Sequence, residues 1–305
     1  MNYRTVLSIM QSFEQGAAKI DFVSPIVSAV CGALASQGRL PGPVVFTPGA
    51  KSYADNNGLS NIIQGRYDPP EHTGLQGQTY TKLTRLQTSN DVDNCNKVIS
   101  DLIFGRLGDH GRDVAGRLAH VVGELHDNVA SHAGGVGFSC AQVYDYTTGP
   151  TVEFAIADNG CGMLRNVRNA DATIMDDADA IRWCLKEGNT SAPRHSSWAQ
   201  RLPEDALYNP YPDSVETRSE ENNHLGKGLS HLDKLICETG GELWIWSGDG
   251  QYVWQPTSKG TIRRSETSWQ GVAIEFSVPV TRKVIDATPS ADVDKYRDLG
   301  RRFGI

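Results

Sequence analysis

Between Val114 and Ser131 the apolar residues Val114, Leu118, Val121, Val122, Leu125 and Val129 recur at steps of three and four, the stripe of an amphipathic helix. After an AGGVG turn, FSCAQVYDYT and TVEFAIAD are β-rich or alternating and predict a pair of antiparallel strands. GELWIWSG (241–248) and GVAIEFSVPV (271–280) predict two more, with QYVWQ as a short strand between them. Trp244 and Trp246 alternate with Leu243 and Ile245, the pattern of sheet residues packed on two faces and not of a base-stacking platform. Upstream, a helix is expected from about Pro25 to Gln37, with Ser24 as N-cap and Pro25 at the first helical position, followed by PVVF as a short strand. VDNCNKVISDLIFGR (92–106) predicts a further helix. This order of elements predicts an α/β chain: an α+β two-layer sandwich, its mixed sheet carrying helices on one face, behind a small N-terminal α/β unit.

Two stretches interrupt the pattern. YDPPEHTGLQGQTYTK (67–82) is rich in Pro, Gly and polar residues and marks a soft boundary, while the polar, proline-bearing segment 188–224 has the character of a lid or a disordered loop. The expected division is therefore 1–90, a small domain suited to partner recognition; 91–285, the main domain; and 286–305, a charged tail. A net charge of -7 argues against a protein that coats nucleic acid or an anionic membrane. Six cysteines without a CxxC pair read as reduced thiols. The start lacks a basic region followed by an apolar one, and no apolar run reaches about 18 residues, so a cytoplasmic protein without a membrane partner is expected.

The candidate chemistry begins in GELHDNVASHAGG. Glu124 and Asn128 are four apart and share one helix face, where a carboxylate and a carboxamide oxygen suit a water and a divalent cation side by side. His126 and Asp127 point away from that face and read as exposed. A zinc site from His126, Asp127 and His132 has the wrong spacing, and His132 fits better as a helix-terminal residue. AIADNGCGM runs a strand into Asp158, followed by Gly160 and Gly162, a placement in which a strand-end carboxylate accepts from an amino group and glycines admit a flat ligand or a phosphate. Cys161, between them, reads as a small buried residue. NHLGKGLSHLDKL places Gly226 and Gly228 before a periodic helix, the setting for anion binding at a helix N-terminus.

In that order, ELHDN, DNGCG, a polar segment, GKG and a last strand from Gly271 resemble the GHKL ATPase superfamily of gyrase, heat-shock chaperone, histidine kinase and mismatch-repair ATPase, over residues 105–280. The resemblance implies a Bergerat-type sandwich with ATP and Mg²⁺ as cofactors. Asn128 would ligate Mg²⁺ and Asp158 would read the adenine amino group. Gly160, Gly162 and Met163 would line the base and ribose, and Gly226, Lys227, Gly228 and Leu229 would meet the phosphates. Glu124 would be the catalytic residue that orients or deprotonates water. Val272 stands where the family has Thr after its last-box glycine, so that hydroxyl contact is missing. Residues 1–90 bear only a faint likeness to small STAS domains. The resemblance implies an ATPase coupled to lid closure or to a switch in a dimer or protein partner. Two other classes stay open: a serine or histidine kinase acting on a separate protein, and an ATP-gated binding module with little turnover.

Overall fold

In the computed structural model, residues 2–14, 18–40, 42–67, 77–189 and 228–281 are described. The N-terminal part runs α1 (Tyr3–Glu14), β1 (Ala18–Ile20), α2 (Pro25–Ser36), β2 (Val44–Phe46), α3 (Pro48–Asn56) and α4 (Leu59–Ile63). Ser24 caps α2 by accepting the Val27 N–H, and Pro25 occupies the first turn, where its missing donor costs nothing. β1 and β2 pair in parallel as a separate two-stranded sheet. Every residue of α2 from Pro25 to Leu34 is buried. A helix apolar all round must be covered on all sides, and α2 is enclosed between α1 and α4 on one side and the main sheet on the other.

That sheet is built from β3 (Thr84–Leu86), β4 (Gly137–Tyr146), β5 (Gly149–Asp158), β6 (Glu242–Trp254) and β7 (Thr261–Pro279), in the order β3-β4-β5-β7-β6. Between β3 and β4 come α5 (Ser89–Leu107), a short turn at Asp109–Gly111, α6 (Arg112–Asn128) and a π-type turn at Val129–Ala133. α7 (Gly162–Ala170) and α8 (Asp177–Leu185) follow β5, and α9 (Gly228–Thr239) precedes β6. The α+β sandwich expected from the sequence is present. Its sheet, however, is not mixed: every pairing in it is antiparallel, and the parallel pair lies in the N-terminal part. QYVWQ is not a separate strand but the continuation of β6.

Helices cover both faces of the sheet, not one. Val152, Phe154, Ile156, Leu243, Ile245, Ile274 and Phe276 face the layer of α5 to α9. Their alternating neighbours Ala155, Ala157, Trp244, Trp246 and Ala273 face α1 and α2. The physical reason is visible in AIA and WIW: an antiparallel strand with one solvated face alternates apolar and polar, whereas these runs are apolar at every position and need cover on both sides. Alanines on the second face let α2 approach closely, and Gly32 of α2 leaves room for the Phe138 ring, which a Cβ would meet at 3.0 Å. The edge strand β3 and the bridge from Tyr80 to Gln142 further tie the first ninety or so residues to this sheet. The expected lid at 188–224, beyond its first two residues, and the charged tail 286–305 lie outside the described residues.

Candidate functional site

Asp158 ends β5 and is 3 % exposed. Its Oδ1 accepts the Gly160 N–H at 2.8 Å and its Oδ2 the Val272 N–H at 3.2 Å. Burial pushes the carboxyl up to about 7, although both backbone bonds pull it down. Gly271 sits at φ +108 and a Cβ there would lie 2.1 Å from the Asp158 carbonyl oxygen, so only glycine passes this point. Val272 contributes its backbone N–H to Asp158, and its side chain carries no hydroxyl. Its register partner on β6 is Ser247, a fully buried residue whose Oγ accepts the Met163 N–H at 2.9 Å. Met163 itself is buried. Cys161 is half-buried and not fully buried as expected.

Glycines 160 and 162 have reasons internal to the chain. A Cβ on Gly160 would lie 2.0 Å from the Ala133 carbonyl oxygen, and Gly162 adopts φ +73 beside Ser247. The Cys161 N–H donates to that same Ala133 oxygen at 2.8 Å. Asn128, exposed at the end of α6, leads through the turn 129–133 onto the glycine segment, so the first two motifs adjoin. Asn159, inside the second motif between Asp158 and Gly160, bonds toward α2. Its Nδ2 donates to Ser36 Oγ at 2.8 Å, and its carbonyl accepts from Gln37 Nε2 at 3.1 Å. The end of α2 therefore touches the Asp158 loop directly.

The third motif meets the first. Gly228 opens α9 against α6, where a Cβ would lie 3.2 Å from Glu124 Cβ, 3.4 Å from Glu124 Oε2 and 3.7 Å from Asn128 Nδ2. Leu229 is buried beneath it, while Gly226 and Lys227 lie outside the described residues. Cover from α9 leaves Glu124 only 6 % exposed, and Oε2 accepts no hydrogen bond among the described residues. Two histidines flank it. His120 Nε2 is 3.6 Å from Oε1 and His231 Nδ1 is 3.5 Å from Oε2. His120 was legible as the residue four before Glu124 on the same helix face. His231, three after Gly228 on α9, enters only when the two helices pack.

His126 overturns an expectation. It points away from Glu124, as its helical position requires, but that side of α6 faces α5 and β4 and not solvent, so the side chain is fully buried. Nδ1 donates to Asn96 Oδ1 at 2.6 Å and Nε2 accepts from Ser139 Oγ at 2.8 Å, the tautomer that lets both partners act in their normal roles. Burial holds the imidazole down at about 3, so it is neutral. With both nitrogens engaged it is no metal ligand. Asp127 is half-buried and not exposed. No family model matches the chain, and no curated protein matches it. Among the described residues no helix is long and apolar enough to cross a membrane.

Proposed function

We propose that the chain binds Mg-ATP between α6, the Asp158 loop and the start of α9, and hydrolyses it with Glu124 as the water-positioning base. One observation carries this reading: Gly228 is wedged against both Glu124 and Asn128, so an acid, a carboxamide and a helix N-terminus converge from segments a hundred residues apart. The glycines of the second motif add little by themselves, because contacts within the chain already require them. Asp158 adds more. A buried carboxylate with two backbone donors keeps lone pairs for a further donor, as an adenine amino group would supply.

In this reading Asp158 selects the base by accepting from its amino group. N–H groups at Gly228 and Leu229 meet phosphate oxygens, with the helix dipole favouring the anion. Asn128, exposed at its helix end, would hold the cation through its carboxamide oxygen. Bound Mg²⁺ would supply charge neutralisation across the phosphate oxygens. Glu124, held apart from bulk water by α9, has an acceptor oxygen ready to take a proton from an attacking water. The bonds from Ser36 and Gln37 to Asn159 give the N-terminal part a route to sense that loop, which fits a regulatory ATPase that answers to a protein partner or to a second copy.

Calorimetry of the full chain with Mg-ATP tests the reading. Binding is expected for the wild type, weakened about 10- to 100-fold in Asp158→Asn, the range for one hydrogen bond to a charged group. Equal affinity in the two proteins refutes the adenine assignment, and absence of binding in the wild type refutes the function.

A further inference from the structure

We infer that His120, Glu124 and His231 form a site for a divalent transition metal of the zinc class, distinct from the oxygen-ligand Mg²⁺ position proposed at Asn128. The three side chains offer two imidazole nitrogens and a carboxylate, all within 4.8 Å of one another. This donor set suits zinc and its first-row neighbours, whereas Mg²⁺ favours oxygen alone. The spacing separates the arrangement from a hydrogen-bonded cluster. Nitrogen to oxygen distances of 3.5 and 3.6 Å exceed the roughly 2.7–3.2 Å of a hydrogen bond. They lie near the roughly 3.3–3.5 Å expected between two ligands of one tetrahedral ion with bonds near 2.0–2.1 Å, one imidazole facing each carboxylate oxygen, so that a small inward shift of the side chains closes the set on one ion.

The second observation comes from the carboxylate. Glu124 is more than nine-tenths buried, yet its Oε2 faces His231 without accepting a hydrogen bond among the described residues. A buried carboxylate left in that state carries a desolvation cost that a cation would offset. Both histidines retain solvent exposure, 27 % and 37 % of their side chains, so an ion has a path in and a water a fourth position. The helices set the spacing, because α6 holds His120 and Glu124 one turn apart and Gly228 lets the helix that bears His231 approach Glu124 closely. An ion held here engages the carboxylate that hydrolysis would use, so the site doubles as a brake on the proposed reaction.

The test uses the full chain without nucleotide, so it stands or falls apart from the ATP reading. Zn²⁺ titration by calorimetry and Co²⁺ titration by visible absorption are run on Cys237→Ser, which removes the exposed thiol as a competing ligand. One equivalent of Co²⁺ with the intense d–d bands of a tetrahedral site is expected. Zn²⁺ should displace it, and His120→Ala and His231→Ala should each weaken binding by at least about tenfold, no less than outer-shell changes cost. Circular dichroism confirms that the variants fold. Failure to bind, affinity in either histidine variant equal to that of the parent Cys237→Ser protein, or a cobalt–thiolate charge-transfer band overturns the assignment.

Discussion

Two polar clusters lie on opposite sides of one helix and have opposite characters. On the sheet side of α6, His126 is fully buried and satisfied, donating to Asn96 and accepting from Ser139. On the α9 side, Glu124 is almost as deeply covered, yet one oxygen accepts no hydrogen bond among the described residues and its histidine neighbours stand off by 3.5 Å or more. A saturated buried network specifies a core. A buried acid with unused acceptor capacity costs free energy that a folded chain tolerates where a ligand supplies the missing partner. The contrast explains why the histidine that stands out in ELHDN is structural, while the less conspicuous His120 and His231 flank the candidate chemistry.

Substitution breaks the comparison open. The largest effect is expected for Glu124→Ala, with Mg-ATP binding retained and phosphate release down by about 10²-fold or more, the scale of a lost general base; undiminished release would remove Glu124 from the reaction. Next comes His126→Ala, which strands Asn96 and Ser139 and should cost roughly 3 kcal/mol in urea unfolding. By contrast Glu124→Gln, which neutralises a carboxylate whose Oε2 accepts no hydrogen bond among the described residues, should change stability by under about 1 kcal/mol. If the two substitutions destabilise equally, the distinction between the clusters collapses.

A smaller effect is expected with pH. His126 titrates at about 3 in the fold and near 6.5 when unfolded, so below about 6.5 the unfolded chain takes up the proton and the native one does not. Its stabilising contribution is thus lost as pH falls, by up to about 1.4 kcal/mol per pH unit, and the difference in slope between wild type and His126→Ala isolates it. Asp158 shifts the other way. With its carboxyl raised to about 7, nucleotide affinity that depends on the carboxylate should fall by up to about tenfold per unit as pH drops below 7. A flat profile from pH 8 to about 5.5 would mean that Asp158 does not contact the base.

Much of the molecule was legible along the chain. The Ser24–Pro25 helix start, the β4–β5 hairpin and the stripe from Val114 to Val129 follow from local rules of capping and periodicity, which need only neighbouring residues. Glu124 and Asn128 belong to that class too, since four-residue spacing alone puts them on one face. His126 did not, because helical direction says which residues share a side but not what lies against that side. Likewise the run WIW carried a signal for a sheet covered on both faces, one that an expectation of helices on a single face overrode.

Sequence by itself determined the helices α2, α5 and α6, the β4–β5 pair and the strand runs of β6 and β7, the alternation that assigns their residues to a face, and the order of the three motifs. Tertiary structure alone decided that α2 closes the second face of the sheet and reaches Asn159, that His126 lies inside, and that Gly228 brings His231 to Glu124. The division has one physical cause. Backbone geometry imposes periods of two and 3.6 residues within a segment, while contacts between segments depend on which surfaces are mutually complementary once the chain is closed.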